Sequence, residues 1–126
     1  MFLEKQHHIA IIVSDWQAAK EFYIDKLGFA LIREEFRPAI GDYLRMIRQG
    51  DTTLEVFVKP NYPERVTNPE AKGLRHLAFH VENIEPAVAW LTDQGIETEP
   101  IREDKLNGGR FTFFKDPDGL PLELHE

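Results

Sequence analysis

The chain has 126 residues, no cysteine, and 15 Lys+Arg against 22 Asp+Glu, a formal charge of −7. That size suits one domain, or two very small units sharing a core, and a hydrophobic content of 42% is enough to build that core. Without cysteine there is no disulfide, thiolate nucleophile or Cys-based metal site; the acidic balance argues against nucleic acid. No apolar run approaches the ~20 residues of a membrane span, and Met1–His8 lacks a signal-peptide pattern. The expectation is a soluble cytoplasmic protein.

The first element, His7–Val13, is short, apolar and β-branched and reads as a buried strand. Asp15 is a helix N-cap candidate, and apolar residues recur at helical spacing from Trp16 to Leu27, where Gly28 ends the helix. Strands follow over Phe29–Phe36, Tyr43–Arg48 and Thr52–Val58, separated by an Arg37–Asp42 loop and a Gln49-Gly50-Asp51 turn. Lys59–Gly73 carries three prolines and reads as a connector. The pattern then restarts. Arg75–Val81 is a strand, Asn83 a cap, and Pro86 fits the first helical turn. Gly95 ends the helix, Ile96–Ile101 and Arg110–Phe114 are strands, and Asp116-Pro117-Asp118-Gly119 is a turn before the strand Leu120–Leu124. The boundaries are module one 1–59, connector 60–73 and module two 74–126, each module βαβββ.

The repeat is the most informative feature. His8 and His76, Asp15 and Asn83, and Glu55 and Glu123 are all 68 residues apart, so His to Glu is 47 residues in both modules. Only the helix ends slip, Gly28 and Gly95 being 67 apart. Strand side chains alternate faces. If the aliphatic set Ile9, Ile11 and Val13 packs under the helix, His8 faces away from it. The same logic applies to His76 against Leu77 and Phe79, Glu55 against Leu54 and Val56, and Glu123 against Leu122 and Leu124. A lone strand histidine is usually a core or surface residue, and a lone Glu usually marks a solvated face. As a repeat-related set, two imidazoles and two carboxylates suit a divalent ion such as zinc, nickel, iron or manganese.

These residues resemble the vicinal oxygen chelate superfamily, which includes glyoxalase I, methylmalonyl-CoA epimerase, fosfomycin-resistance proteins and extradiol dioxygenases. The resemblance covers nearly the whole chain. It is carried by His8-Ile-Ala-Ile-Ile-Val-Ser-Asp15, Phe22-Tyr23 to Leu27-Gly28-Phe29, Leu54-Glu55-Val56, Gly73-Leu-Arg-His76-Leu-Ala-Phe-His-Val81 and Asp116-Pro-Asp-Gly-Leu-Pro-Leu-Glu123-Leu124. It implies an α+β fold of two paired βαβββ modules with strand order 1-4-3-2, an open eight-stranded cup with helices outside. It also implies metal ligands His8, Glu55, His76 and Glu123. The full His-Glu-His-Glu set is most similar to glyoxalase I and small bacterial lactoylglutathione lyase-like proteins. The resemblance then implies proton transfer next to a carbonyl through a metal-stabilised enediolate, on a small hemithioacetal or related substrate. Zinc or nickel is expected, with iron, manganese or cobalt as other choices; Glu123 or Glu55 is the base. The alternatives are a methylmalonyl-CoA-type epimerase and a non-catalytic, resistance-type binding protein.

Glutathione-using members carry Arg and Asn where this chain has Ile12 and Lys59. Arg33, Arg37, Arg45, Arg75 and Arg110 are candidate replacements for the lost carboxylate fork. His80, Phe111 and Phe113 are candidate pocket residues. His7 and His125 read as structural, and Trp16, Phe22, Tyr23 and Trp90 as core. Glu103–Arg110 is a candidate lid. Sheet edges seek partners, so the chain is expected to be a homodimer binding a small molecule, with no nucleic-acid or membrane partner.

Overall fold

The computed structural model describes residues 2–126. The chain divides after Pro63 into two compact units, a division that falls within the expected connector. In the first unit the order is β1 (Ile9–Val13), α1 (Trp16–Ala19) running on as a π-helix (Lys20–Lys26), β2 (Ala30–Arg37), β3 (Asp42–Gln49) and β4 (Thr52–Val58). The second unit has β5 (Leu77–His80), α2 (Ile84–Asp93), β6 (Arg102–Glu103), β7 (Arg110–Lys115) and β8 (Pro121–His125). Each unit holds one four-stranded mixed sheet, ordered β1-β4-β3-β2 and β5-β8-β7-β6. The α+β class, the two βαβββ modules and the 1-4-3-2 order stand as expected. Among the described residues no helix is long and apolar enough to cross a membrane.

The two sheets share one register. Ile9 pairs Leu54 and Ala10 pairs Glu55 in parallel; Leu77 pairs Leu122 and Ala78 pairs Glu123 in parallel. Every one of these partners is displaced by 68 residues from its counterpart. Alternation then sorts the faces. Ile11, Val13, Leu54 and Val56 are buried with Ala19, Phe22 and Tyr23 of the first helix. Leu77, Leu122 and Leu124 are buried in the second unit, as are Ile84 and Leu91 of α2. Each Val, Leu, Ile or Phe among them contributes roughly 1.5–3 kcal/mol through the area it removes from water. Ala10 and Ile12, on the other face of β1, are exposed.

The π-helix explains the single slip in the repeat. Tyr23 and Leu91 occupy the same place after their caps and are both fully buried. In α2 the end is closed by Ile96 N–H donating to Leu91 O at 3.0 Å, with Gly95 at φ +77°. In the first unit the equivalent bond runs from Phe29 N–H to Tyr23 O at 2.9 Å, one residue longer, with Gly28 at φ +87°. Leu27 N–H reaches back five residues to Phe22 O at 3.0 Å. One extra residue is thus absorbed by widening the turn, the usual origin of π-helical geometry.

Four expectations need correction, one of them Trp90, expected in the core and exposed in the structure. Both histidine-bearing strands start after the histidine, because pairing with the neighbouring parallel strand begins at Ile9 and at Leu77. Asp15 caps α1 as expected, accepting from Gln17 N and Ala18 N at 3.3 Å each. Asn83 has the extended backbone of a cap but makes no side-chain capping bond. That function passes to Glu126, whose Oε2 accepts from Ile84 N at 3.0 Å while the same carboxylate pairs with Arg110. Ile96–Ile101, expected as a strand, forms none, and the two-residue β6 lies just beyond it at Arg102–Glu103. Pro100 has no N–H for a ladder, and the segment is held by Glu99 N donating to Phe113 O at 2.9 Å and Thr112 Oγ1 donating to Glu99 O at 2.6 Å. The Asp116 turn forms as expected: Asp116 Oδ1 accepts from Asp118 N at 2.9 Å and Leu120 N at 2.8 Å.

Deleting Asp25, an exposed residue of the π-helical stretch, should restore α-helical hydrogen bonding and leave a folded protein by circular dichroism and thermal melting. Deleting Asp93 from α2 rotates the residues after it by about 100° and should lower the melting temperature much further. The Arg110 hydrogen bond and the Ile84 N–H hold the Glu126 carboxyl down from 4.5 to about 2. A lowered carboxyl pKa stabilises above its unfolded value and loses that contribution as pH falls. In urea titrations, Glu126→Gln should be less stable than the parent at pH 6, and the gap should close between pH 4.5 and 2.

Candidate metal centre

In the first unit, the parallel pairing sets Glu55 on the face away from the helix, in one row with Ala10, Met46 and Arg33. His8 precedes β1 by one residue, and its Nε2 lies 3.9 Å from Glu55 Oε2. Its other nitrogen, Nδ1, is 2.8 Å from His7 Nδ1, and the two rings meet edge to face. A histidine ligand typically has its second nitrogen held by a carboxylate, a backbone carbonyl or water; here the partner is an imidazole. His7, expected to be structural, is the residue that holds His8.

In the second unit, His76 precedes β5 by one residue, and its Nε2 lies 3.0 Å from Glu123 Oε1. Glu123 is buried, with its neighbours Leu122 and Leu124 turned to the helix side. Phe113 pairs directly opposite Glu123 and places its ring edge to face on His76, centroids 5.0 Å apart. Phe111 pairs opposite His125 and stacks on that imidazole at 6.0 Å. His125 therefore shares the face of Glu123, and its contacts are those of a structural residue. Its Nε2 is 2.8 Å from Asp104 Oδ2. The period of two between 123 and 125 carried that signal. Its partner Asp104 lies 21 positions away across a loop, beyond the reach of any local pattern.

The donor chemistry of each pair fits a borderline divalent ion. Two donors bound to one ion at about 2.0–2.2 Å, at right or tetrahedral angles, sit about 2.8–3.6 Å apart. His76 and Glu123 already have that separation at 3.0 Å, while His8 and Glu55, at 3.9 Å, need to close by a side-chain rotation. The structure brings together His8 with Glu55 and His76 with Glu123. Among the described residues no group of three or more His, Asp or Glu is gathered at metal-binding distance.

A profile of the Glyoxalase/Bleomycin resistance protein/Dioxygenase superfamily matches residues 5–124. The chain belongs to this superfamily. It is 55% identical to the Bacillus subtilis (strain 168) protein YwkD over 127 residues, covering 100% of this chain and 99% of that one. The crystal structure of a glyoxalase family protein from Enterococcus faecalis matches with a TM-score of 0.93 at 53% identity, covering both chains fully. Relatives with a named activity are more distant. Lactoylglutathione lyase of Escherichia coli O157:H7 is 29% identical, covering 94% of this chain and 90% of that one. The 2-epi-5-epi-valiolone epimerase of Actinomyces sp is 29% identical, covering 94% and 76%.

The five candidate arginines of this glyoxalase-superfamily chain are all committed to its own carboxylates. Arg33 grips both oxygens of Glu35 at 3.0 Å, and Arg37 both oxygens of Asp42 at 2.8 Å. These hydrogen bonds hold the Glu35 and Asp42 carboxyls below the ordinary range. Arg45 bonds Glu34 at 2.8 Å and lies over Trp16 and Tyr43. Arg75 bonds Glu70 at 3.0 Å. Arg110 is shared between Glu126 and Glu85. Lys59, at the position where glutathione-using members carry Asn, pairs with Asp42 at 3.2 Å.

The expected lid is anchored by Asp104. Its Oδ1 accepts from Asn107 N at 2.9 Å and Leu106 N at 3.0 Å, and its Oδ2 meets His125. The Asn107 N–H and then the His125 contact lower its pKa from 3.8 to about 2. A lowered carboxyl keeps its contribution down to acid pH. Amide-exchange protection factors of Leu106 and Asn107 should therefore persist at pH 4 and fall as pH approaches 2. In Asp104→Ala both should be low across the whole range.

Proposed function

We propose that this chain is a divalent-metal-dependent lyase or isomerase of the glyoxalase I type, moving a proton next to a carbonyl of a small hemithioacetal or related substrate. His8, Glu55, His76 and Glu123 are its metal donors. The observation that carries the reading is the recurrence of one His–Glu pair at one parallel register in both units. An epimerase and a lyase both stand among its relatives, which supports the proton-transfer chemistry.

A divalent ion, zinc or nickel in preference, when bound supplies a Lewis acid that draws charge from the substrate oxygens. The remaining work falls to the side chains. His8 and His76 present Nε2, His8 being held from behind by His7 and His76 flanked by Phe113. Glu123 is the favoured base: its carboxylate takes the proton from the carbon beside the carbonyl and returns it to the neighbouring carbon. Glu55 is its counterpart and the second candidate. The buried strand neighbours Leu122 and Leu124 hold Glu123 rigidly on β8. The protein is further proposed to be a homodimer, because the eight-residue edge strand β2 is exposed along nearly its whole length.

Metal content by mass spectrometry, followed by turnover on a panel of hemithioacetals and acyl-CoA esters, tests the reading. His76→Ala should lose the metal and all isomerase activity while keeping its circular dichroism. Glu123→Gln should cut turnover by about 10²–10⁴-fold, the ordinary worth of a general base, and reduce metal content far less. A His76→Ala protein that binds metal as tightly as the parent contradicts the proposal. Turnover of acyl-CoA esters alone assigns the epimerase branch.

A further inference from the structure

We infer that Arg102, seated over Phe111 and Phe113, is the anion-recognition residue of the Glu123 face, and that the substrate carries a carboxylate at the end remote from the reacting carbons. The inference deepens the proposed function and rests on it only for the end of the substrate that meets the metal donors. Its observations are independent of that reading.

The two-residue strand β6 exists to place this side chain: Arg102 pairs directly opposite Phe111. Its guanidinium carbon lies 5.0 Å from the Phe111 ring centre and 5.8 Å from that of Phe113. Phe113 in turn touches His76. One phenyl ring therefore separates a cation from the His76–Glu123 pair, all on one sheet face of one unit. Stacking on aromatic rings fixes the plane of an arginine while leaving its edge free for a planar oxyanion.

The other arginines do not offer this. Arg33, Arg37, Arg45, Arg75 and Arg110 are bound by side-chain carboxylates, and Arg48 and Arg65 donate to backbone carbonyls. Arg102 makes one bond, from Nη2 to Glu99 Oε1 at 3.2 Å, and the two side chains are 54% and 52% exposed. An exposed pair of this kind is worth little, so a ligand carboxylate displaces Glu99 at small cost. The chain's charge of −7 repels anions at long range, so an acidic substrate needs such a local cation. A carboxylate is favoured because the present occupant of the fork is one. The Phe113 ring between cation and metal donors, with Phe111 beside it, suits an apolar linker of a few methylenes.

The test compares 2-hydroxyadipate with 2-hydroxyhexanoate on the zinc-loaded protein by calorimetry. Both offer the same vicinal oxygens, and only the first has a distal carboxylate. The parent should bind 2-hydroxyadipate at least tenfold more tightly. In Arg102→Gln the preference should fall below threefold, and Arg102→Lys should lie between. Equal affinities in the parent, or a preference surviving in Arg102→Gln, overturn the assignment and leave the metal reading untouched. A second arm needs no metal. The Arg102 Nε–Hε resonance of metal-free protein should shift saturably with adipate and stay fixed with hexane-1,6-diol. Absence of zinc binding then counts against the metal reading alone, while an unshifted resonance counts against Arg102.

Discussion

The parallel pairing of the first and last strands of each module is the constraint on which the rest depends. Side chains on a strand alternate with period two, so a slip of one residue moves a whole set to the other face. Pairing Ala10 with Glu55 and Ala78 with Glu123 sends the neighbouring leucines and valine into the helix-side cores. The same registers leave one carboxylate on the opposite face beside the histidine that precedes the strand. The cores and the candidate donors are therefore not separate features. Packing of Leu54 and Leu122 fixes Glu55 and Glu123 in place.

The repeat has diverged around those donors in a chemically meaningful way. In the first unit the Glu55 face is salt-bridged: Arg33 with Glu35, and both Arg37 and Lys59 with Asp42. Those pairs bind one another and leave no open fork. In the second unit the corresponding face is aromatic, with Phe111, Phe113 and two imidazoles in contact and a loosely paired Arg102 at its rim. Within the superfamily fold, the second module thus carries the surface able to hold an apolar, acid-tipped molecule, and the first is self-satisfied.

Much of this was legible in the residues alone. The 47-residue His–Glu spacing and the alternation around each Glu are local and periodic, and they located the strands, their faces and the two His–Glu pairs. The 67-residue interval between Gly28 and Gly95 was visible too, but its cause was not. A π-helical turn leaves no periodic mark, since the buried positions before and after it keep ordinary helical spacing. The features that escaped depend on distant partners. Asn83 looks like a cap until Glu126 arrives from the chain's other end, and Ile96–Ile101 looks like a strand until Pro100 interrupts its ladder. Arg102 is undistinguished until β6 pairs it with Phe111.

The central claim is that the repeat-related His–Glu pairs are donors to a divalent ion. X-ray absorption spectroscopy of the zinc-loaded protein tests it most directly. The account predicts a first shell of nitrogen and oxygen at about 2.0–2.2 Å, with the multiple-scattering signature of two imidazoles in the parent and of one in either His8→Ala or His76→Ala. A spectrum with a single imidazole in the parent, or one unchanged by His8→Ala, would contradict it.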